Sequence, residues 1–313
     1  MSQQISTPRL TQVAPLLVDS TQRLLGYVAA LATMIIWSGY FMSLRQGALS
    51  PLGTLELTLF RFAVPGFLLL PWFMARWHVI RRINPIWLLG IAVGAGLPFF
   101  LLSALAMRYA PVALGSTLIP GAAPLFVTGL AVWLFRQPFP RWRLFGLSLV
   151  VLGVGILVVA FSNTAQPMVL WAPIGFLACS ALWALFTLCM RQSGLKPLDA
   201  AAVVTIPSTL LLLVFILFTR PTLDLTSVST TEWMIQLAVQ GLAVGLGAGY
   251  LYGYAINRLG AEATSAIGSF TPVCASLMAW LWFEEPMSTS MFLALALVTF
   301  GVVSASGLWR RAS

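Results

Sequence analysis

The chain has 313 residues, of which 59% are hydrophobic and only 8% charged, with a net charge of +9 and a mean hydropathy of +0.94. An ordinary soluble domain needs about a quarter of its residues charged, so this composition excludes one. It fits a chain whose solvent is lipid.

A helix needs about 20 apolar residues to cross a bilayer, and such runs lie near 24–44, 54–75, 86–107, 111–134, 143–161, 168–190, 198–219, 233–257, 262–283 and 287–309. They are numbered here as spans 1 to 10. None alternates with period two as barrel strands do. The expected fold is an all-α membrane protein of ten transmembrane helices, arranged as two inverted five-helix repeats.

Residues 1–23, with Pro8 and Pro15, read as a cytoplasmic N-terminal tail. Ala30-Leu31-Ala32 has the form of a signal-peptide cleavage site but follows too few apolar residues, so the first span is expected to stay. Span 1 places Trp37 and Phe41 on one face. Span 2 holds Arg61, the only charge that looks buried, which is expected to snorkel or to pair structurally. The single histidine, His78, follows Arg76-Trp77 at a span end and reads as part of an interfacial belt. Span 3 carries Gly90, Gly94, Phe100 and Ser103.

Span 4 contains Pro120 and Pro124, and span 9 contains Pro272. Each lacks an amide hydrogen and frees the carbonyl four residues back, that of Ser116, Pro120 or Gly268. Broken helices at membrane depth are tolerated where protein or a wet cavity covers them, so spans 4 and 9 are expected to line a cavity. Hydroxyls of Ser116, Thr117, Ser269 or Thr271 could instead satisfy simple kinks. Span 6 places Trp183 and Thr187 on one face. In span 8, Gly241, Gly245, Gly249 and Gly253 form a smooth ridge for close packing, flanked by Tyr250 and Tyr254. The expected substrate-binding set is therefore Trp37, Phe41, Phe100, Ser103, Pro120, Pro124, Trp183, Thr187, Tyr250, Tyr254, Ser269 and Pro272. Indoles attract ammonium groups and freed carbonyls accept their hydrogens, which suits zwitterions or small cations.

The halves repeat. An offset of 146 takes Trp37 to Trp183, Arg45-Gln46 to Arg191-Gln192, Pro51-Leu52 to Pro197-Leu198 and Trp87 to Trp233, and 148 takes Pro124 to Pro272, Pro138 to Pro286 and Gly153 to Gly301. The repeats are read as 24–161 and 168–309. Five spans per half is odd, so the second enters the bilayer from the other side, the symmetry of many secondary carriers.

Basic residues set the orientation. Thirteen of the seventeen fall on one face: Arg9 and Arg23, then Arg76, Arg81, Arg82, then Arg136, Arg141, Arg143, then Arg191, Lys196, Arg258 and finally Arg310-Arg311. Arg45, Arg108 and Arg220 fall on the other. Both termini are thus expected in the cytoplasm, and the scatter of charge over short segments argues against a nucleic-acid partner. Cys179, Cys189 and Cys274 lie within spans, so no disulfide is expected. There is no H-E-x-x-H, no pair of aspartates within a span and no G-x-S-x-G, which disfavours an enzyme. No carboxylate lies deep in a span, so no proton-coupling group is evident. Neither metal nor cofactor is expected.

With these features in order, namely the two five-helix repeats, Trp37-Ser38 with Trp183, Arg61-Phe62, and Phe283-Glu284-Glu285-Pro286 followed by Gly301, the chain resembles the EamA-type branch of the drug/metabolite transporter superfamily. The Trp37-Ser38 and Trp183-Ala184 segments look most like the YddG-type amino-acid exporters of bacterial inner membranes. That resemblance implies a multi-pass inner-membrane carrier that exports amino acids, with Trp37 and Trp183 bordering a cavity completed by spans 3, 4, 8 and 9. The stretch Pro120-Gly121-Ala122-Ala123-Pro124 is small, where aromatic-specific exporters look to have aromatics, so aromatic and other neutral amino acids are both expected. The rival carrier reading is efflux of drugs or other metabolites. It is weakened because span 1 offers no glutamate at Ile35-Ile36-Trp37-Ser38-Gly39, where small multidrug pumps look to have one. A monomer would suffice, with small-molecule substrate and lipid as the only partners.

Overall fold

The computed structural model describes residues 20–136, 141–164, 166–223 and 228–306. Among these residues, ten helices are long and apolar enough to cross a membrane: Ser20–Leu49, Thr54–Ile80, Pro85–Met107, Val112–Leu134, Arg143–Asn163, Trp171–Ser193, Pro197–Thr219, Thr230–Leu259, Ala263–Phe283 and Thr289–Ser306. The described residues contain no strand. In hydrocarbon every backbone N–H and C=O must find a partner in the protein, and a helix supplies it locally. Large apolar side chains cover the outside, as with Phe218 at 81% exposure, which lipid accommodates and water would not.

Span 1 starts at Ser20 and runs to Leu49, longer at both ends than its apolar run, because polar turns continue the helix beyond the hydrocarbon. The last residues of the expected tail, Ser20 to Arg23, are therefore helical. Residues 1–19 and the basic Arg310-Arg311 lie outside the described residues.

Helices of one half pack mainly on the other. Spans 5 and 10 pair, as do 4 and 9, and 2 and 7, so repeat mates sit face to face. The packing of span 1 on span 8 has its counterpart in span 6 on span 3, and that of span 2 on span 8 in span 7 on span 3. This is the pattern of an inverted two-fold. The backbone repeats it in detail. Arg136 and Glu284, 148 positions apart, end their helices with left-handed φ of 49° and 54°. Their N–H groups cap the carbonyls of Ala131 and Ala279, also 148 apart.

Three spans depart from a regular α-helix. Span 3 breaks at Gly96 (φ −93°, ψ −145°), just before Pro98, and a Cβ there would overlap the Ala92 carbonyl oxygen, so only glycine fits. Span 9 breaks between Ala261–Gly268 and Thr271–Phe283, beside Pro272. Span 8 is π-helical over Leu237–Gly247, a wide turn that is rare and often found at functional sites. Span 4, expected to break with its mate, instead runs unbroken over Val112–Phe135. Its prolines remove hydrogen bonds without ending it, and the Ser180 hydroxyl donates to the Ile119 carbonyl there (2.8 Å). Three glycines of the expected ridge in span 8 pack closely, Gly241 against Phe60 and Val64, Gly245 against Pro65 and Gly253 against Pro197, whereas Gly249 has no neighbour within 4 Å of where its Cβ would stand. Close approach of this kind supplies much of the packing between helices in lipid.

Candidate functional site

Trp37 and Trp183, the repeat-related indoles of spans 1 and 6, meet at the centre of the bundle. Their centroids are 6.3 Å apart at 86°, the edge-to-face arrangement that the ring quadrupole favours. Tyr252 of span 8 lies 5.0 Å from Trp37. On the other side Phe99 and Phe186 lie 5.7 Å and 4.9 Å from Trp183. Trp37 also faces Gly268, the last residue before the break in span 9. Both indoles and Tyr252 are only half-buried, although helices surround them. The cluster thus draws on spans 1, 3, 6, 8 and 9.

One turn along span 1, Tyr40 continues the same face. Its hydroxyl and Ser103 Oγ are 2.9 Å apart, and Ser103 donates its single hydrogen to the Phe100 carbonyl (2.9 Å). Tyr40 is therefore the donor to Ser103 and keeps oxygen lone pairs free. Phe41 packs on Tyr40 (5.1 Å), and buried Phe100 meets Phe62 edge-on (5.6 Å). The Arg61 guanidinium lies 5.1 Å from the Phe62 ring, and its Nη1 is buried without a hydrogen-bond partner.

The remaining expected residues lie around this centre. The Thr187 hydroxyl donates to the Trp183 carbonyl (2.8 Å) and that of Ser269 to Ala266 (2.7 Å), so both donors are already used. Pro272 is buried, and next to it the Ser38 hydroxyl reaches the Thr271 carbonyl (3.3 Å). Pro120 and Pro124 are half-buried in the unbroken span 4. Tyr254 stacks under Arg258 (3.8 Å), and Tyr250 is 54% exposed. Tyr252, two positions from each, points the other way and reaches Trp37. Sequence reading missed it, along with Tyr40, Phe99, Phe186 and the unpaired state of Arg61. The π segment widens the turn and changes the phase of everything after Gly247, so a ridge counted at i+4 from upstream mispredicts the inward face. The odd position of Arg61 was the one available signal for that residue.

The face opposite the termini is bolted. Arg45 Nε donates to Glu285 Oε1 (2.8 Å) and Arg45 Nη1 to the Met107 carbonyl (3.2 Å), while Glu285 Oε2 accepts from the Val112 N–H (2.8 Å). This joins the ends of spans 1 and 3, the start of span 4 and the end of span 9. Burial pushes the Glu285 carboxyl up, against the pull of Arg45 and the Val112 amide. The repeat mates are Arg191 and Gln137, which cannot form an ion pair. On the terminal face, Arg76 instead grips Asp199 with two bonds (3.1 and 3.0 Å) and Trp72 adds a third (3.0 Å), tying span 2 to span 7. The two halves of span 9 meet different neighbours beside span 1. Its Thr271–Phe283 half packs on spans 1 and 4, and Ala261–Gly268 packs on spans 1, 8 and 10.

A family model described as the EamA-like transporter family matches residues 24–159 and again 170–307. A solved crystal structure described only as that of a protein matches with a TM-score of 0.61 at 21% identity, covering 93% of this chain and 98% of the other. At that identity the likeness concerns the fold. None of the curated proteins matches.

Proposed function

The chain belongs to the EamA-like transporter family and so moves small molecules across a membrane, and on that premise we propose that it exports amino acids from the bacterial cytoplasm by alternating access. The observation behind this is the meeting of Trp37 and Trp183 at the bundle centre. Two inverted halves that rock about a point expose it to each side in turn, and the repeat-related indoles occupy that point. Bound substrate lies against these indoles and Tyr252, with Phe41, Phe100 and Ser103 one turn away. The small Pro120-Gly121-Ala122-Ala123-Pro124 wall leaves room for aromatic and other neutral side chains.

The terminal face is the cytoplasmic one in this reading, because the described span ends there hold Arg23, Arg76, Arg136, Arg191, Lys196 and Arg258 among others, against Arg45, Arg108 and Arg220 on the far side. A cysteine placed at Ser2 or at Ser313 is expected to react with an impermeant maleimide in inside-out vesicles of the inner membrane and not in intact cells. Labelling of one end on each side would reverse the parity of the whole scheme.

Transport is tested with purified protein in liposomes, using labelled neutral amino acids with and without a pH gradient. Uptake above protein-free vesicles is expected. A cationic dye that crosses while no amino acid does would replace this reading with drug efflux. Trp37→Ala and Trp183→Ala are each expected to raise KM about tenfold, since an aromatic pair is worth about 0.5–1.5 kcal/mol beyond its buried area, with membrane insertion unchanged. Wild-type kinetics in both variants would remove the indoles from the site.

A further inference from the structure

We propose that Arg61 anchors the carboxylate of the transported molecule, with its side chain lying on the aromatic cluster below; this rests on the carrier reading above. Arg61 sits seven residues into span 2, which begins at Thr54, about 10 Å along a helix rising 1.5 Å per residue. An arginine at that depth is expected to snorkel to the interface or to pair with an acid. It does neither. Nη1 is buried without a partner, so the head group is not at the surface. Neither the Arg45–Glu285 pair nor the Arg76–Asp199 pair includes it. Buried Thr58 and Pro65 lie one turn to either side on the same helix face, so the side chain is directed into the bundle and not toward lipid.

The residue as a whole is nevertheless not fully buried but of intermediate exposure. Its guanidinium lies against the Phe62 ring, and Phe62 in turn meets Phe100 and, through it, Tyr40. Tyr40 donates its own hydrogen to Ser103 and offers Arg61 no negative charge. A buried cation without a counter-charge is costly and persists where something compensates it. An arriving carboxylate supplies that charge and matches the planar guanidinium fork with two parallel bonds. Trp37 lies one turn below Tyr40 on the same face of span 1, so a carboxylate held at Arg61 lowers the rest of the molecule onto the indoles. The same charge repels amines that lack an acid group.

Three phenyl probes separate these roles in proteoliposomes: L-phenylalanine, 3-phenylpropionate, which lacks the amine, and 2-phenylethylamine, which lacks the acid. Wild-type protein is expected to carry both acids at least about tenfold faster than the amine, the effect of one hydrogen-bonded charge. Arg61→Met is expected to erase that preference, while Arg61→Lys retains part of it, having the charge without the fork. Thermal unfolding in detergent adds a second readout. Arg61→Met should unfold at or above the wild-type temperature, because it removes an unpaired buried charge; a markedly lower value would make Arg61 a structural residue and overturn the proposal. An amine carried as fast as the acids overturns it too, while leaving the carrier reading in place. Transport of 3-phenylpropionate without L-phenylalanine supports the anchor and sinks the amino-acid reading. If none of the three crosses, both fall.

Discussion

Gly301→Leu is expected to unfold the second half of the bundle or to leave a protein that no longer runs as a single species in detergent. Gly146 of span 5 and Gly301 of span 10 meet backbone to backbone. A Cβ at Gly301 would lie 2.7 Å from the Gly146 carbonyl oxygen and 2.9 Å from the Val150 nitrogen, and one at Gly146 would lie 2.5 Å from the Gly301 oxygen and 2.6 Å from the Ala305 nitrogen. Backbone cannot step aside as a side chain can, so the two helices must separate. Separation also loosens Gly153 from Ala294 and Val298, and Val298 from Gly121. In water, collapse of apolar surface would offset part of this loss. In lipid there is no such push between helices, and association depends on close packing. The cost should therefore reach or exceed the upper end of the about 1–3 kcal/mol usual for overpacked cores. Gly301→Ala should be milder, and a leucine variant with an unchanged unfolding temperature would show that the seam is loose.

Glu285→Ala is expected to release the face opposite the termini. It leaves the Arg45 guanidinium and the Val112 N–H without their acceptor at a site where both carboxylate and guanidinium are largely shielded. Removing one partner of such a pair costs about 3–5 kcal/mol when fully buried, and this pair, partly exposed, should lose somewhat less. Because the pair joins spans 1 and 9, under the alternating-access cycle proposed above the loss falls on the form closed at this face and shifts the population toward the open one. Cysteines introduced near Val112 should then label faster from the far side. Arg45→Ala should act in the same direction, and the double variant should cost less than the sum of the two. Equal labelling in wild type and Glu285→Ala would show that the pair does not hold the face shut.

Acidity adds a second handle on the same contact. Burial raises the Glu285 carboxyl, and in the open form of the proposed cycle, exposure to water is expected to return it toward the ordinary carboxylate range. The closed form then binds the proton more tightly, so closure strengthens as pH falls through the window above that range and weakens as pH rises through it. Labelling from the far side should slow in mild acid, and Glu285→Gln should remove the dependence.

Local pattern and composition sufficed for the ten helices, the duplication and the central pair of indoles. Trp37 and Trp183 share an offset with Arg45 and Arg191, so symmetry alone brought them to equivalent places. Pro272 likewise marked a real break in span 9, where the helix ends at Gly268 and restarts at Thr271. Where a contact depended on which way a helix faces, the chain gave little guidance. Span 4 stays whole although it has two prolines, Tyr252 rather than Tyr250 or Tyr254 touches Trp37, and Arg61 has no acid beside it.

The physical reason is the solvent. In a soluble helix one apolar stripe marks the inward face, but in lipid the outside is as apolar as the inside and that stripe disappears. Composition and periodicity therefore determined that this protein crosses a membrane, how often, and with what symmetry. Which residues meet at its centre, and that Arg45 would find Glu285 across 240 positions of chain, only the packing of one half against the other decided.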